Sequence, residues 1–158
     1  MIKILEKVQL AVGAISLSIF FLAILVQIVT RHLGISVIWT EEVANYSFIW
    51  SVFMGAAVMV NKREHFSFDF LALKLEGKSR VILFTVIDSV ILLFSIALVY
   101  YGIQAVQNFW NYTWASLPDI KMGYVWISIP IMGATMAIYS INHLVNHIKA
   151  LTGRGGKA

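Results

Sequence analysis

The residues of this sequence that could do chemistry are few, and most stand where apolar runs end. His143 and His147 are four apart and so share one face of a helix. That spacing can ligate a metal, but no acidic residue stands near them in sequence, and histidines at a membrane surface account for the pair without one. His65 falls at the same edge, which leaves open a haem held by facing histidines. Asp88 is the one carboxylate inside an apolar run. Placing it there costs about 2.5–3.5 kcal/mol on insertion scales. Such an acid can be a proton or cation coupling site. It can equally be paired, packed, or drawn toward the surface, because Arg80 is only about 12 Å away along a helix axis. Arg31, Glu41 and Glu42 gather where the first apolar run ends and the second begins. There is no cysteine, no His-Glu-x-x-His, no P-loop and no Gly-x-Ser-x-Gly. No catalytic residue, bound metal or cofactor is expected, and the chain is not expected to be an enzyme.

The elements that must position these residues are membrane spans. Of the 158 residues, 59% are hydrophobic and 13% charged. Soluble domains carry about 25% charged residues, so lipid is the solvent here. Residues 8–30 and 43–61 carry no charge, residues 81–101 carry only Asp88, and residues 122–148 carry only the two histidines. Each run can cross about 30 Å of hydrocarbon as a helix. Helices are required because lipid offers no partner to a bare backbone amide. The expected fold is therefore an all-α integral membrane protein, a single membrane domain over 1–158 with spans near 8–31, 41–61, 80–106 and 122–148. The first run is too long for a signal-peptide core, and Arg31 and His32 follow it instead of a cleavage site. It reads as an uncleaved span.

Orientation follows from the lysines and arginines. Lys3, Lys7, Lys62, Arg63, Lys74, Lys78, Arg80, Lys149, Arg154 and Lys157 fall on one side, and only Arg31 and Lys121 on the other. The positive-inside rule then places both termini in the cytoplasm, in a bacterial inner membrane. Trp39, Trp110, Trp114, Trp126, Tyr112 and Tyr124 fall at the outer ends of spans, where they read as an aromatic belt at the headgroups.

Two connections carry pattern. Between spans two and three, Phe66, Phe70, Leu73 and Gly77 lie on one helical stripe, and Ser67 suits a cap. Residues 66–77 read as a short amphipathic helix on the cytoplasmic membrane surface. Residues 108–122 are polar and aromatic and contain Pro118, so they read as an ordered periplasmic connection. In span four, Gly133 and Ala137 form a small-xxx-small pair that favours close helix packing.

One block is specific. Trp39-Thr-Glu-Glu-Val-Ala-Asn-Tyr-Ser-Phe-Ile-Trp50 is followed by Phe53-Met-Gly-Ala-Ala57 and by Lys62-Arg-Glu-His-Phe-Ser-Phe-Asp69. It resembles the small membrane subunit of tripartite ATP-independent periplasmic (TRAP) transporters. That family's pattern has a Trp-x-Glu-Glu entering span two, Phe-x-Gly-Ala-Ala within it, and a basic-x-x-His-x-x-x-Asp exit. Arg31 and Ile129-Pro-Ile-Met-Gly133 fit as well, and the resemblance extends over the whole chain. In physical terms, Thr40 can cap span two, Glu41 and Glu42 suit its positive end, and Arg31 could pair with either acid. Trp39 anchors the interface, and Gly55 permits close helix approach. Lys62, Arg63 and His65, with Asp69, hold the inner end at the phospholipid headgroups.

The resemblance implies a small scaffold subunit with no substrate site of its own. A large membrane subunit would carry an organic acid and Na⁺ in an elevator-type movement, supplied by a periplasmic binding protein. Arg31, Trp39, Glu41, Glu42, Trp50 and Gly55 would be the candidate contacts to these partners; no nucleic acid is expected. Two other readings stand beside it: a stand-alone multidrug-type antiporter using Asp88, and a haem-binding anchor of a respiratory enzyme.

Overall fold

A computed structural model describes residues 2–63 and 78–151. The expected amphipathic helix at 66–77, with His65 and Asp69, lies outside the described residues. The described residues form helices and no strand. They comprise α1 (Ile2–His32), α2 (Trp39–Lys62), α3 (Lys78–Phe109), the short α4 (Gly123–Trp126) and α5 (Ser128–Leu151). Four helical segments are long and apolar enough to cross a membrane, with α4 and α5 together making the fourth.

Local chemistry sets where these helices stop. Past α1, Gly34 has φ +73°, a conformation that only glycine adopts without strain. Its N–H reaches Arg31 O at 3.1 Å, and the N–H of Ile35 reaches Thr30 O at 2.9 Å. These two bonds form a Schellman motif that satisfies carbonyls the helix end would leave bare. α2 starts at Trp39, one residue before the expected cap. Thr40 does not cap it: the side chain is buried and its hydroxyl donates to Val37 O at 2.9 Å. Glu41 and Glu42 in the first turn suit the positive helix end. The fourth span is broken at Ile127, for which Pro130 gives the reason. A proline ring clashes with the carbonyl four residues back, here that of Trp126, where α4 ends. Within the first turn of α5 its missing N–H leaves no bond unmade.

α1 packs on α2, α2 on α5, and α5 on α3, while no extensive packing joins α1 to α3. The helices therefore run α1–α2–α5–α3 across the molecule. Only 11% of the most apolar stretch of α1, and of α3, is buried within the chain, against 44% for the fourth span. The core sits on the α2/α5 seam, around Ala57, Val60, Met132, Met136 and Tyr139.

Glycines set the close approaches. Gly133 lies so near α3 that a methyl group there would sit 3.0 Å from Leu98 Cβ and from Ser95 O. Gly102 of α3 likewise faces the Pro130 ring, and Gly13 of α1 faces Met54. Gly55 N lies 4.0 Å from where a Cβ on Gly13 would be, while a Cβ on Gly55 itself would meet nothing within 4 Å beyond its own helix backbone.

Candidate functional site

The chain has two polar edges. The first carries the 33–38 connection and the 110–122 connection, and is called the hairpin edge. Thr113 and Lys121 form an isolated antiparallel bridge there. Met122 N–H donates to Tyr112 O at 2.7 Å, and Trp114 N–H to Ile120 O at 3.0 Å.

Glu42 fastens that loop to α2. Oε1 accepts the Ala115 N–H and Oε2 the Ser116 N–H, both at 2.8 Å, and the Ser116 hydroxyl also donates to Oε2. Arg31 was expected to pair with Glu41 or Glu42. Among the described residues, no ion pair joins Arg31 to either acid. Trp50 makes a second tie, its indole N–H donating to Tyr124 O at 3.1 Å.

The aromatics of this edge divide. Trp114 packs on Tyr46 at 4.5 Å between centroids, with its indole N–H buried. Trp110 lies over Gly123, and Trp126 stacks on Phe109 at 4.7 Å. Trp114 and Trp110 fasten the loop to the helices, and Trp126 joins the end of α3 to α4. Trp39, Tyr112 and Tyr124 remain exposed. Trp39 borders a groove of about 500 Å³ with Ser36, Val37, Ile38, Ala115 and Ser116.

The opposite, basic edge is held by Asp88. Its Oδ2 lies 3.1 Å from Arg63 Nη2 and 3.0 Å from His147 Nε2. Arg63 Nη2 and His147 Nε2 are 2.6 Å apart, so the three atoms form a triangle. With its lone pair on Nε2 the imidazole accepts from Arg63; protonated there, it donates to Asp88. Arg63 also lies over the Phe84 ring at 5.0 Å. It is the one non-glycine residue with positive φ among the described residues, at 62°. That conformation costs an L-residue roughly 1–2 kcal/mol, and the contacts to Asp88 and His147 hold it in place. His143 turns elsewhere, with Nε2 3.2 Å from Asn61 O. The two histidines thus face different partners within the chain. Lys62 is exposed beside them.

A third polar group was missed in the sequence. Gln9 is buried on α1, where Tyr139 OH donates to its Oε1 at 2.5 Å and its Nε2 donates to Thr135 Oγ1 at 2.9 Å. Nearby, Asn61 Nδ2 donates to Glu6 Oε2 at 2.9 Å. An amide near the start of the apolar run 8–30 was the available signal, because an amide facing lipid is costly.

Glu42 at one edge, Asp88 at the other and Gln9 between the helices each bind one helix or loop of this chain to another. That arrangement braces a plate of helices. Residues 20–150 match the model of the DctQ component of tripartite ATP-independent periplasmic transporters. The chain belongs to that family. It is 25% identical over 123 residues to the sialic acid TRAP transporter small permease protein SiaQ of Vibrio cholerae, covering 77% of this chain and 69% of that one. It is 29% identical over 116 residues to a putative TRAP transporter small permease protein of Haemophilus influenzae, covering 73% and 70%. It is also 24% identical over 135 residues to the sialic acid TRAP transporter permease protein SiaT of Haemophilus influenzae. That match takes in 85% of this chain but only 22% of the longer permease. As a DctQ component the chain is a small subunit of a transporter and not an enzyme, a multi-pass protein of the bacterial inner membrane. Family membership implies a large permease partner.

Proposed function

We propose that this chain is the fixed, non-transporting scaffold of a sodium-coupled, binding-protein-dependent importer of an organic acid. The observation that carries the reading is the match to less than a quarter of a longer permease. A segment similar to this chain makes up part of one longer permease chain, which supports a role beside a large permease. The braced interior points the same way. Asp88 and Glu42 are both engaged within the chain, while α1 and α3 turn apolar flanks outward. The large permease covers such a flank, and the open side of Gly55 suits a helix from it. Substrate and Na⁺ bind that partner. The hairpin edge faces the periplasm, because most lysines and arginines lie at the other edge. The groove beside Trp39 then meets the large permease or the periplasmic binding protein. A carboxylate such as a C4-dicarboxylate or sialic acid is the cargo; sialic acid is the one named for two of the relatives.

The test joins topology to assembly. Phosphatase fusions at residues 36 and 116 should be active outside, and fluorescent fusions at 5, 70 and 155 should glow inside. Trp39→Ala should leave insertion intact and reduce recovery of the large permease in a quantitative pull-down. A C-terminus outside, or wild-type recovery together with wild-type uptake, overturns the reading.

A further inference from the structure

Beside the start of α2 lies a cleft of about 370 Å³. Gln27, Thr30 and Arg31 from the end of α1 form one wall, and Ser36, Ile38 and Glu41 line the other. The volume falls within the range of small-molecule sites, about 300–1,000 Å³. Its position, where one span ends and the next begins, is the level of lipid headgroups.

One cation and one anion line this cleft, and among the described residues neither has an ion-pair partner. Each has an ordinary explanation in its helix dipole, since Arg31 stands at a C-terminus and Glu41 at an N-terminus. Two further observations go beyond that. The carbonyls of Thr30 and Arg31 are already satisfied by Ile35 and Gly34, so capping does not call for the guanidinium. Glu42, not Glu41, fastens the hairpin. Adjacent helix positions are about 100° apart, so the face that gives Glu42 to the loop turns Glu41 toward the cleft.

We propose that the cleft binds the headgroup of a zwitterionic aminophospholipid, with its phosphate at Arg31 and its ammonium at Glu41. Charge complementarity selects that class. An anionic headgroup suits Arg31 but is repelled by Glu41. A choline headgroup carries the positive charge but offers Glu41 no N–H donor. An ethanolamine headgroup satisfies both, with charge-assisted hydrogen bonds at each end. Ile35 and Ile38 are 55% and 72% exposed beside it and give the glycerol and upper acyl carbons an apolar rest. The inference rests on the chain being in a membrane and is independent of which permease it joins.

The experiment uses the full chain purified in detergent and mixed with equimolar phosphatidylethanolamine, phosphatidylglycerol and phosphatidylcholine. Lipid retained per chain is counted by native mass spectrometry. Wild type should retain phosphatidylethanolamine over the other two. Arg31→Gln should lower that retention about two- to fivefold, the size of one exposed ionic contact. Glu41→Gln should instead change selectivity, with phosphatidylglycerol rising to match phosphatidylethanolamine. Lys121→Gln, at the same edge but away from the cleft, should keep the wild-type preference. Thermal unfolding of each variant checks that the fold is intact. No ethanolamine preference in wild type, or a preference that survives both cleft variants, overturns the proposal. So does an assembled complex with the large permease that retains no phosphatidylethanolamine.

Discussion

Arg63 Nη2 lies 3.1 Å from Asp88 Oδ2, so the residue just past α2 reaches a carboxylate inside α3. Asp88 is 4% exposed, and His147 of α5 shares the same oxygen. One acid thereby ties three helices at the basic edge. Arg63→Ala removes a partner from a nearly buried charge, and His147 remains. A loss of about 1–3 kcal/mol is expected, less than for a fully buried pair because the guanidinium is part-exposed. Arg63→Gly loses the same contacts but relieves the left-handed backbone, so it should be more stable than Arg63→Ala by about 1 kcal/mol. Thermal unfolding in detergent orders the two. Equal stability would mean that the positive φ stores no strain.

The Glu42 clasp gives a local prediction. Glu42→Ala leaves the Ala115 and Ser116 amides without their acceptor, and should free the hairpin by about 0.5–1.5 kcal/mol, because amides at this exposed edge can turn to water. Hydrogen exchange at residues 115 and 116 should accelerate, while the core of α5 stays protected. Glu41→Ala should leave both amides as slow as in wild type. Acceleration in both variants would mean that the loop is held by something other than the Glu42 carboxylate.

The Gln9–Tyr139 tie calls for a double-mutant cycle. Tyr139→Phe strands the Gln9 Oε1 in the interior and should cost about 1–3 kcal/mol. Gln9→Leu combined with Tyr139→Phe removes both partners and should recover most of that loss. Additive losses in unfolding would show that the two side chains act separately.

The glycines separate internal packing from external contact. Gly133→Ala forces a methyl group onto α3 and should destabilise the chain by about 1–3 kcal/mol. Gly55→Ala meets open space and should lie within about 0.5 kcal/mol of wild type in the purified chain. If Gly55→Ala also lowers recovery of the large permease, its open side is the partner contact. An isolated Gly55→Ala chain that unfolds early would contradict the geometry.

The four spans were legible because uncharged runs of membrane length leave a chain few alternatives. Gly133 was readable for the same reason, its spacing from Ala137 being a pattern within one helix. Tertiary partners were not. Glu42 meets residues 73 and 74 positions away, and Asp88 meets one 59 positions away, so no local pattern pairs them. Thr40 misled because its hydroxyl turned back to Val37 once α2 began a residue early. Gly13 carried no flag in the sequence, because a glycine in an apolar run shows which helix lies opposite only once Met54 and Gly55 of α2 are seen against it. The site residues at the Trp39 edge were flagged by resemblance, and their division between internal clasp and open cleft appears only in three dimensions.

The central claim is that this chain braces a transporter and moves nothing itself. Uptake into proteoliposomes tests it most directly, with the chain alone and then with the large permease, the binding protein and an inward sodium gradient. Labelled carboxylates, sialic acid first, serve as cargo. No uptake is expected from the chain alone, and sodium-dependent uptake is expected from the complete set. Robust proton-coupled transport by the chain alone, lost in Asp88→Asn, would contradict the account.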